Sequence, residues 1–263
     1  MPEREDVVIR PLVVPASLDA PDAGAFLEMV RIANEAARFD AGHSDLDEEP
    51  AEQLAAWYDT ADWWHTGWVA MRGGTIVGAA TMMGSTQEGT ATAEFFVNVE
   101  PHLRGTGIEE PLLDAVERDA RGRGLRSVQT WTLHRVGADG ERIVPPTGVG
   151  YVPRDAQSVL LERAGYVLEQ VERNSAFDLH GSFAAVERMR ERALEKAGSD
   201  YRVVSWTGPT PERHLDSYAY TLSRLATDAP NGGRDVEEQA WDAGRVRRRD
   251  DRLAAQGVLV SVV

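Results

Sequence analysis

Cysteine is absent from the 263 residues. That excludes disulfides, thiolate zinc sites, iron–sulfur clusters and thiol nucleophiles together. Lysine is almost absent as well: Lys196 stands alone, and arginine supplies the rest of the 28 basic side chains. No apolar run approaches the ~18 residues of a membrane helix. The start, Met1-Pro2-Glu3-Arg4-Glu5-Asp6, is polar and acidic rather than signal-like. The expectation is a soluble, cytoplasmic protein without a membrane partner. Positive charge is scarce, with 43 Asp and Glu giving a net charge of −15. A nucleic-acid partner needs a basic footprint and is not expected. The six histidines show no i, i+4 pair and no metal-ligand spacing, so no metal is expected either. No Gly-x-Ser-x-Gly elbow exists, which argues against a serine hydrolase.

What is present suits a folded chain of one large domain or two small ones, 42% hydrophobic and 27% charged. Val7–Val14 reads as a first strand ending at Pro15. Apolar residues near helical spacing predict a helix from Pro21 to about Asn34, and a second through Leu54, Trp57 and Tyr58. Gly67–Met71, a Gly73-Gly74 turn and Thr75–Met83 read as a hairpin. Thr90–Val99 is another strand, closed by Pro101, and Ile108–Arg121 a long helix stopped by Gly122 and Gly124. Ser127–Leu133 reads as a strand, Val136–Gly150 as a loop, Asp155–Arg163 as a short helix and Tyr166–Leu179 as a final strand. This order predicts an α/β fold, a mixed sheet with helices on both faces.

Phe183–Ala197 then reads as a linking helix, and from Tyr201 the pattern restarts. Tyr201–Trp206 is a strand, Pro211–Ala226 and Val236–Arg252 are helices, and Val258–Val263 is an apolar strand at the end. Two helices again follow a strand, and the second of each pair carries a tryptophan, Trp57 or Trp241. The repeat lies in element order more than in letters. The expected division is 1–180, a linker helix at 181–200, and a partial second lobe at 201–263. The terminal strand invites pairing, either onto the first sheet or with another chain as a homodimer. Arg245–Arg252 is arginine-rich but contains acids and sits in a helix, so a solvated face is expected rather than a nucleic-acid patch.

The most specific segment runs Val97-Asn98-Val99-Glu100-Pro101-His102-Leu103-Arg104-Gly105-Thr106-Gly107-Ile108. It is a strand passing through Arg-Gly-x-Gly into a long helix. A helix start presents unpaired N–H groups and a positive dipole end, and glycines admit an anion close to the backbone. The segment resembles the GNAT superfamily of acyl-CoA-dependent N-acyltransferases, over about residues 7–179. Leu160-Leu161-Glu162-Arg163-Ala164-Gly165-Tyr166 is similar to that family's later helix-to-strand turn. Trp206-Thr207-Gly208-Pro209-Thr210-Pro211-Glu212 and Thr227-Asp228-Ala229-Pro230 resemble the start of a second lobe in bacterial tandem members.

The resemblance implies a splayed sheet and acyl transfer, acetyl above all, from acetyl-CoA to a primary amine. It would place the pyrophosphate on Arg104, Gly105, Thr106, Gly107 and Ile108, and the pantetheine along Val97, Asn98 and Val99. Glu94 would take the amine's proton, its alternative being a solvated strand residue. Leu161 stands where the family often carries a proton-donating tyrosine, leaving Tyr151 or Tyr166 for that role. Glu109 stands where the family has Gly or Ala, so two carboxylates, Glu109 and Glu110, would border the diphosphate. The alternative is a degenerate lobe serving as a scaffold or partner-binding module. Asp40, Asp45, Asp47, Glu48, Glu49 and Glu52 fall in the region that borders the family's acceptor side. They imply a small, cationic amine as acceptor, or simply a soluble surface.

Overall fold

Five strands build one sheet in the order β1-β2-β3-β4-β5, antiparallel except for the parallel β4–β5 pair. They are Val8–Pro11 (β1), Trp63–Arg72 (β2), Thr75–Ser85 (β3), Thr92–Val99 (β4) and Ser127–Thr130 (β5). The structure is a computed structural model and describes residues 6–135, 137, 140–175, 177–178 and 180–263. Met1–Glu5, Val136 and Leu179, which end three of the segments read from the sequence, lie outside the described residues.

Gly73 and Gly74 carry φ of 58° and 83° between β2 and β3. A two-residue turn with both φ positive matches the twist of paired strands, and glycine reaches it without strain. Helices Gly24–Ala41 (α1) and Pro50–Tyr58 (α2) cover one face of the sheet, where Phe26, Met29, Val30, Leu54 and Trp57 pack on Val69 and Ala79. The opposite face receives Glu109–Gly122 (α3), whose Leu112, Leu113 and Val116 meet Ala80, Met82, Phe95 and Val99. β4 alternates accordingly: Ala93, Phe95, Val97 and Val99 pack toward α3, and Glu94, Phe96 and Asn98 take the other side.

The β4–β5 pairing determines the site. Its register runs from Thr92 with Ser127 to Phe95 with Thr130 and stops there. β4 continues for four more residues, Phe96–Val99, paired only with β3. The sheet therefore splits between β4 and β5 at the end that leads into α3.

Several elements correct the sequence reading. The first helix runs on to Ala41, because Gly42 at φ 84° supplies its left-handed stop. The Gly- and Pro-rich loop holds a short ladder, Arg142–Ile143 (β6) with Val152–Pro153 (β7). Ala156–Arg163 (α4) is capped by Asp155, which accepts from the N–H groups of Gln157 and Ser158 at 3.0 Å each. Among the described residues, Tyr166–Asp178 forms no strand. Its β-branched letters promise one, but a cavity described below lies along β5 where the ladder would form.

Two compact units make up the chain: Met1–Val171 with Thr221–Ala240, and Glu172–Tyr220 with Trp241–Val263. The second contains Ala184–Ala197 (α5), which is exposed almost throughout, and a two-stranded ladder of Trp206–Thr207 (β8) with Ser261–Val262 (β9). The terminal strand is thus shorter than expected and pairs inside its own unit, not on the five-stranded sheet. Leu215–Asp228 (α6) starts in the second unit, and its residues from Thr221 belong to the first. Residues 236–242 are not helical; Ala243–Ala255 (α7) begins only after Asp242, which caps it by accepting from Arg245 N–H at 2.7 Å. Trp241 therefore precedes the helix. It carries the Arg245 guanidinium 4.1 Å from its ring centroid, and Arg245 is buried. Arg247 donates to Thr210 O at 2.9 Å and pairs with Glu212. The expected solvated arginine face is in part an internal network.

Candidate functional site

The strand-to-helix turn adopts a shape only glycine reaches cheaply: Gly105 has φ 72° and Gly107 φ 90°. Between the turn and α3 stands Ile108, fully buried, and no side chain caps the helix. The first-turn N–H groups have no acceptor within their own helix, by construction. These features and the split between β4 and β5 fit a ligand carrying a diphosphate at one end and an extended chain at the other.

Two side chains oppose that fit. Glu109 folds back so that its Oε1 accepts the Gly105 N–H at 2.7 Å. Its Oε2 is buried without a hydrogen-bond partner among the described residues. A carboxylate thus sits where an anionic ligand would bind, with one oxygen unsatisfied. Arg104 does not point free into the site either. Its guanidinium forms a two-pronged pair with Asp40, at 2.6 and 2.8 Å, and both side chains are nearly buried. Gln157 Nε2 donates to the same carboxylate at 3.1 Å, which ties α4 to the turn.

Val97 and Val99 direct their side chains into the core, so only their backbone is available to a ligand. Asn98 shares the other face with Glu94, by strand alternation. Glu94 is half-buried and receives a long hydrogen bond, 3.4 Å, from Gln129 Nε2 on β5. Tyr166 sits on the α3 side, its ring 5.5 Å from Phe95 and its hydroxyl donating to Glu117 Oε1 at 3.4 Å. Burial first, then Glu117, push its pKa well above the usual phenol value, so it keeps its proton. Glu94 and Tyr166 are therefore not brought together; they belong to opposite faces of β4. Leu161 and Tyr166 both border the cavity beside β5, and Tyr151 lies under the Arg142 guanidinium, 4.1 Å from its centroid.

The carboxylate field is weaker than the letters imply. Asp40 is neutralised by Arg104, and Asp47 by Arg38 at 2.8 and 2.9 Å. Glu48 is held above the ordinary carboxylate range, by desolvation first and by Glu52 second. Asp45, Glu48, Glu49 and Glu52 are exposed, and Asp45 Oδ2 lies 3.5 Å from His43 Nδ1.

A second group was not foreseen. Thr132 Oγ1 lies 2.8 Å from His134 Nε2, and His134 Nδ1 lies 2.8 Å from Asp155 Oδ2. The histidine side chain is 6% exposed. Thr132 and His134 lie two residues apart just past β5, and Asp155 comes from 21 residues further on; the T-x-H spacing and the helix-start aspartate were the visible signals. Burial alone would raise Asp155; the His134 hydrogen bond and the amides of Ser158 and Gln157 outweigh it and hold the carboxyl below its usual value. A depressed carboxyl adds stability above its unfolded pKa of about 3.9 and loses it as pH falls through the native value. In urea titrations, the stability difference between the native chain and Asp155→Asn should therefore be constant above about pH 5 and shrink below about pH 4.

Among the described residues, no cluster of three His, Asp or Glu could hold a metal ion, and no helix is long and apolar enough to cross a membrane. Residues 27–138 match the family model described as "Acetyltransferase (GNAT) family". No curated relative matches the chain. Among solved structures, the chain is similar to a tandem GNAT protein from the clavulanic acid biosynthesis pathway. That likeness has 16% identity and a TM-score of 0.53, and covers 98% of this chain and 70% of the other. It bears on the fold, which extends through both units. An aminoglycoside acetyltransferase from an uncultured soil metagenomic sample aligns with 17% identity and a TM-score of 0.42, over 65% of this chain and 96% of its own. A ribosomal-protein-alanine N-acetyltransferase from Brucella melitensis aligns with 21% identity and a TM-score of 0.40, over 60% and 82%. The split and the glycine turn both fall within residues 27–138, the segment that matches the acetyltransferase (GNAT) family model.

Proposed function

We propose that the chain transfers a short acyl group, acetyl above all, from acyl-CoA to a primary amine of a small molecule. The observation that carries this reading is the split at Phe95 and Thr130, which leaves Phe96–Val99 without a β5 partner beside a glycine turn. An extended amide-bearing chain would add hydrogen bonds to that open edge, as a β-strand does. The diphosphate would lie on the turn from Arg104 to Ile108, with Glu109 displaced from the Gly105 amide. A main-chain N–H near Val97 or Asn98 would stabilise the oxyanion formed as the amine attacks the thioester. Glu94 would accept the amine's proton, directly or through water. Tyr166, protonated at neutral pH, would supply a proton to the departing thiolate once released from Glu117.

The acceptor is proposed to be a cationic amine, on the strength of Asp45, Glu49 and Glu52 rather than the whole acidic run. The domain reading that accompanies this is an acyltransferase domain at 1–180, a linker helix at 181–200 and a partial second lobe from 201. Calorimetry of the full chain with acetyl-CoA tests the core of the proposal. Micromolar binding is the expected result. No heat at millimolar ligand would leave a lobe retained for its surface, not for catalysis.

A further inference from the structure

Thr132 and His134 border a cavity of about 630 Å³, and His134 is in turn held by Asp155. Its walls are β5 with its continuation to His134, the start of α4, and Gly165–Gln170. None of the three residues enters the acyl-transfer scheme above. Asp155 is acceptor-only when ionised, so its contact with His134 requires the hydrogen on Nδ1. In the tautomer with its one hydrogen on Nδ1, Nε2 is an acceptor and Thr132 donates across the 2.8 Å contact. The carboxylate's other oxygen is occupied by the Gln157 and Ser158 amides, which hold the aspartate in one orientation. A hydroxyl hydrogen-bonded to a buried base, with the base oriented by an acid, is the arrangement of an activated nucleophile, whatever fold carries it.

We propose that Thr132 is the nucleophile of a second acyl-handling centre that hydrolyses small activated acyl compounds, esters or thioesters, in this cavity. In the first half, Thr132 Oγ1 attacks the carbonyl carbon while His134 Nε2 takes the hydroxyl proton. The carbonyl's bond to the leaving oxygen or sulfur breaks, and the leaving group departs with that proton. The product is an O-acyl-threonine. In the second half, water attacks the same carbon, His134 takes the water's proton, and the carbon–Oγ1 bond breaks. Thr132 recovers the proton and the carboxylic acid leaves. Asp155 stays ionised throughout and keeps Nδ1–H in place.

The full chain should release 4-nitrophenolate from 4-nitrophenyl acetate, or CoA from acetyl-CoA, with no amine present. The substrate that turns over identifies the ester or the thioester as the source. Thr132→Val keeps the side chain's shape, and His134→Ala removes the base; each should lower that rate by about 100- to 10,000-fold. Thr132→Ser should restore turnover, and the covalent adduct described next separates a nucleophile from a merely structural hydroxyl. Stopping the native reaction early and digesting the chain should place the acetyl adduct on the peptide containing Thr132, a reading that needs no variant to fold. Rates no higher than buffer with both probes, or unchanged turnover in Thr132→Val, would overturn the proposal. Amine acylation is followed separately, so acetyl-CoA that fails to bind the glycine turn leaves ester turnover as an independent result.

Discussion

Glu109→Gly is expected to tighten acetyl-CoA binding by roughly 5-fold to 1,000-fold. The range follows from Coulomb's law: like charges about 4 Å apart cost about 1 kcal/mol in water and about 4 kcal/mol near a protein surface. The carboxylate now accepts the Gly105 N–H at 2.7 Å, so its removal also frees that amide. The buried, unpartnered Oε2 makes the present arrangement expensive for the protein itself. Glycine at the first helical position costs up to ~1 kcal/mol of helix stability, a folding cost that the free and bound chains share. Glu109→Gln separates the two contributions, because it keeps an acceptor for Gly105 while discharging the group. Calorimetry on the three chains at low salt is the measurement. Equal affinities would show that Glu109 swings out without penalty and that charge repulsion does not govern the site.

The second large effect is on stability. Asp40→Ala should destabilise the first unit by about 3 kcal/mol, the lower end of the cost of stranding one partner of a buried ion pair. Arg104 is only 12% exposed on its side chain and loses both strong hydrogen bonds at once. Gln157 loses an acceptor too, loosening the tie between α4 and the glycine turn. Urea unfolding gives the number directly, and restoring stability with Arg104→Met in the Asp40→Ala background would show that the cost is the unpaired charge. A loss under ~1 kcal/mol would mean that water reaches Arg104 and the pair behaves as a surface one.

Glu109 holds the Gly105 amide and Asp40 the Arg104 guanidinium, the two groups proposed to meet the diphosphate. Such a site discriminates: a ligand must offer more than either carboxylate does to displace it.

Much of the architecture was legible in the letters. Period-2 and helical patterning placed the five strands and α1 to α4, because alternation and 3.6-residue spacing report which face is buried. The Gly73-Gly74 hairpin and the glycine turn were readable for the same local reason, since positive φ selects glycine. Failures fell where non-local packing decides. The described residues of Tyr166–Asp178 form no ladder, since strand status needs a partner edge and a cavity lies along β5 there. Residues 236–242 have helical letters, but Asp242 captures the Arg245 amide and starts α7 late. Two charges read as surface ones are also held by packing: Asp40 pairs with Arg104, 64 residues away, and Arg245 is buried against the Trp241 ring.

By itself the sequence determined the α/β class, the family-like segment from Val97 to Ile108 and the absence of thiol chemistry, because each depends on local residue identity and spacing. Only the tertiary structure decided that Glu109 occupies the Gly105 amide, that Glu94 and Tyr166 part onto opposite faces, and that Thr132, His134 and Asp155 meet. Those are distances between side chains, and a distance across 21 residues of chain is set by how helices and strands pack, not by the letters between them.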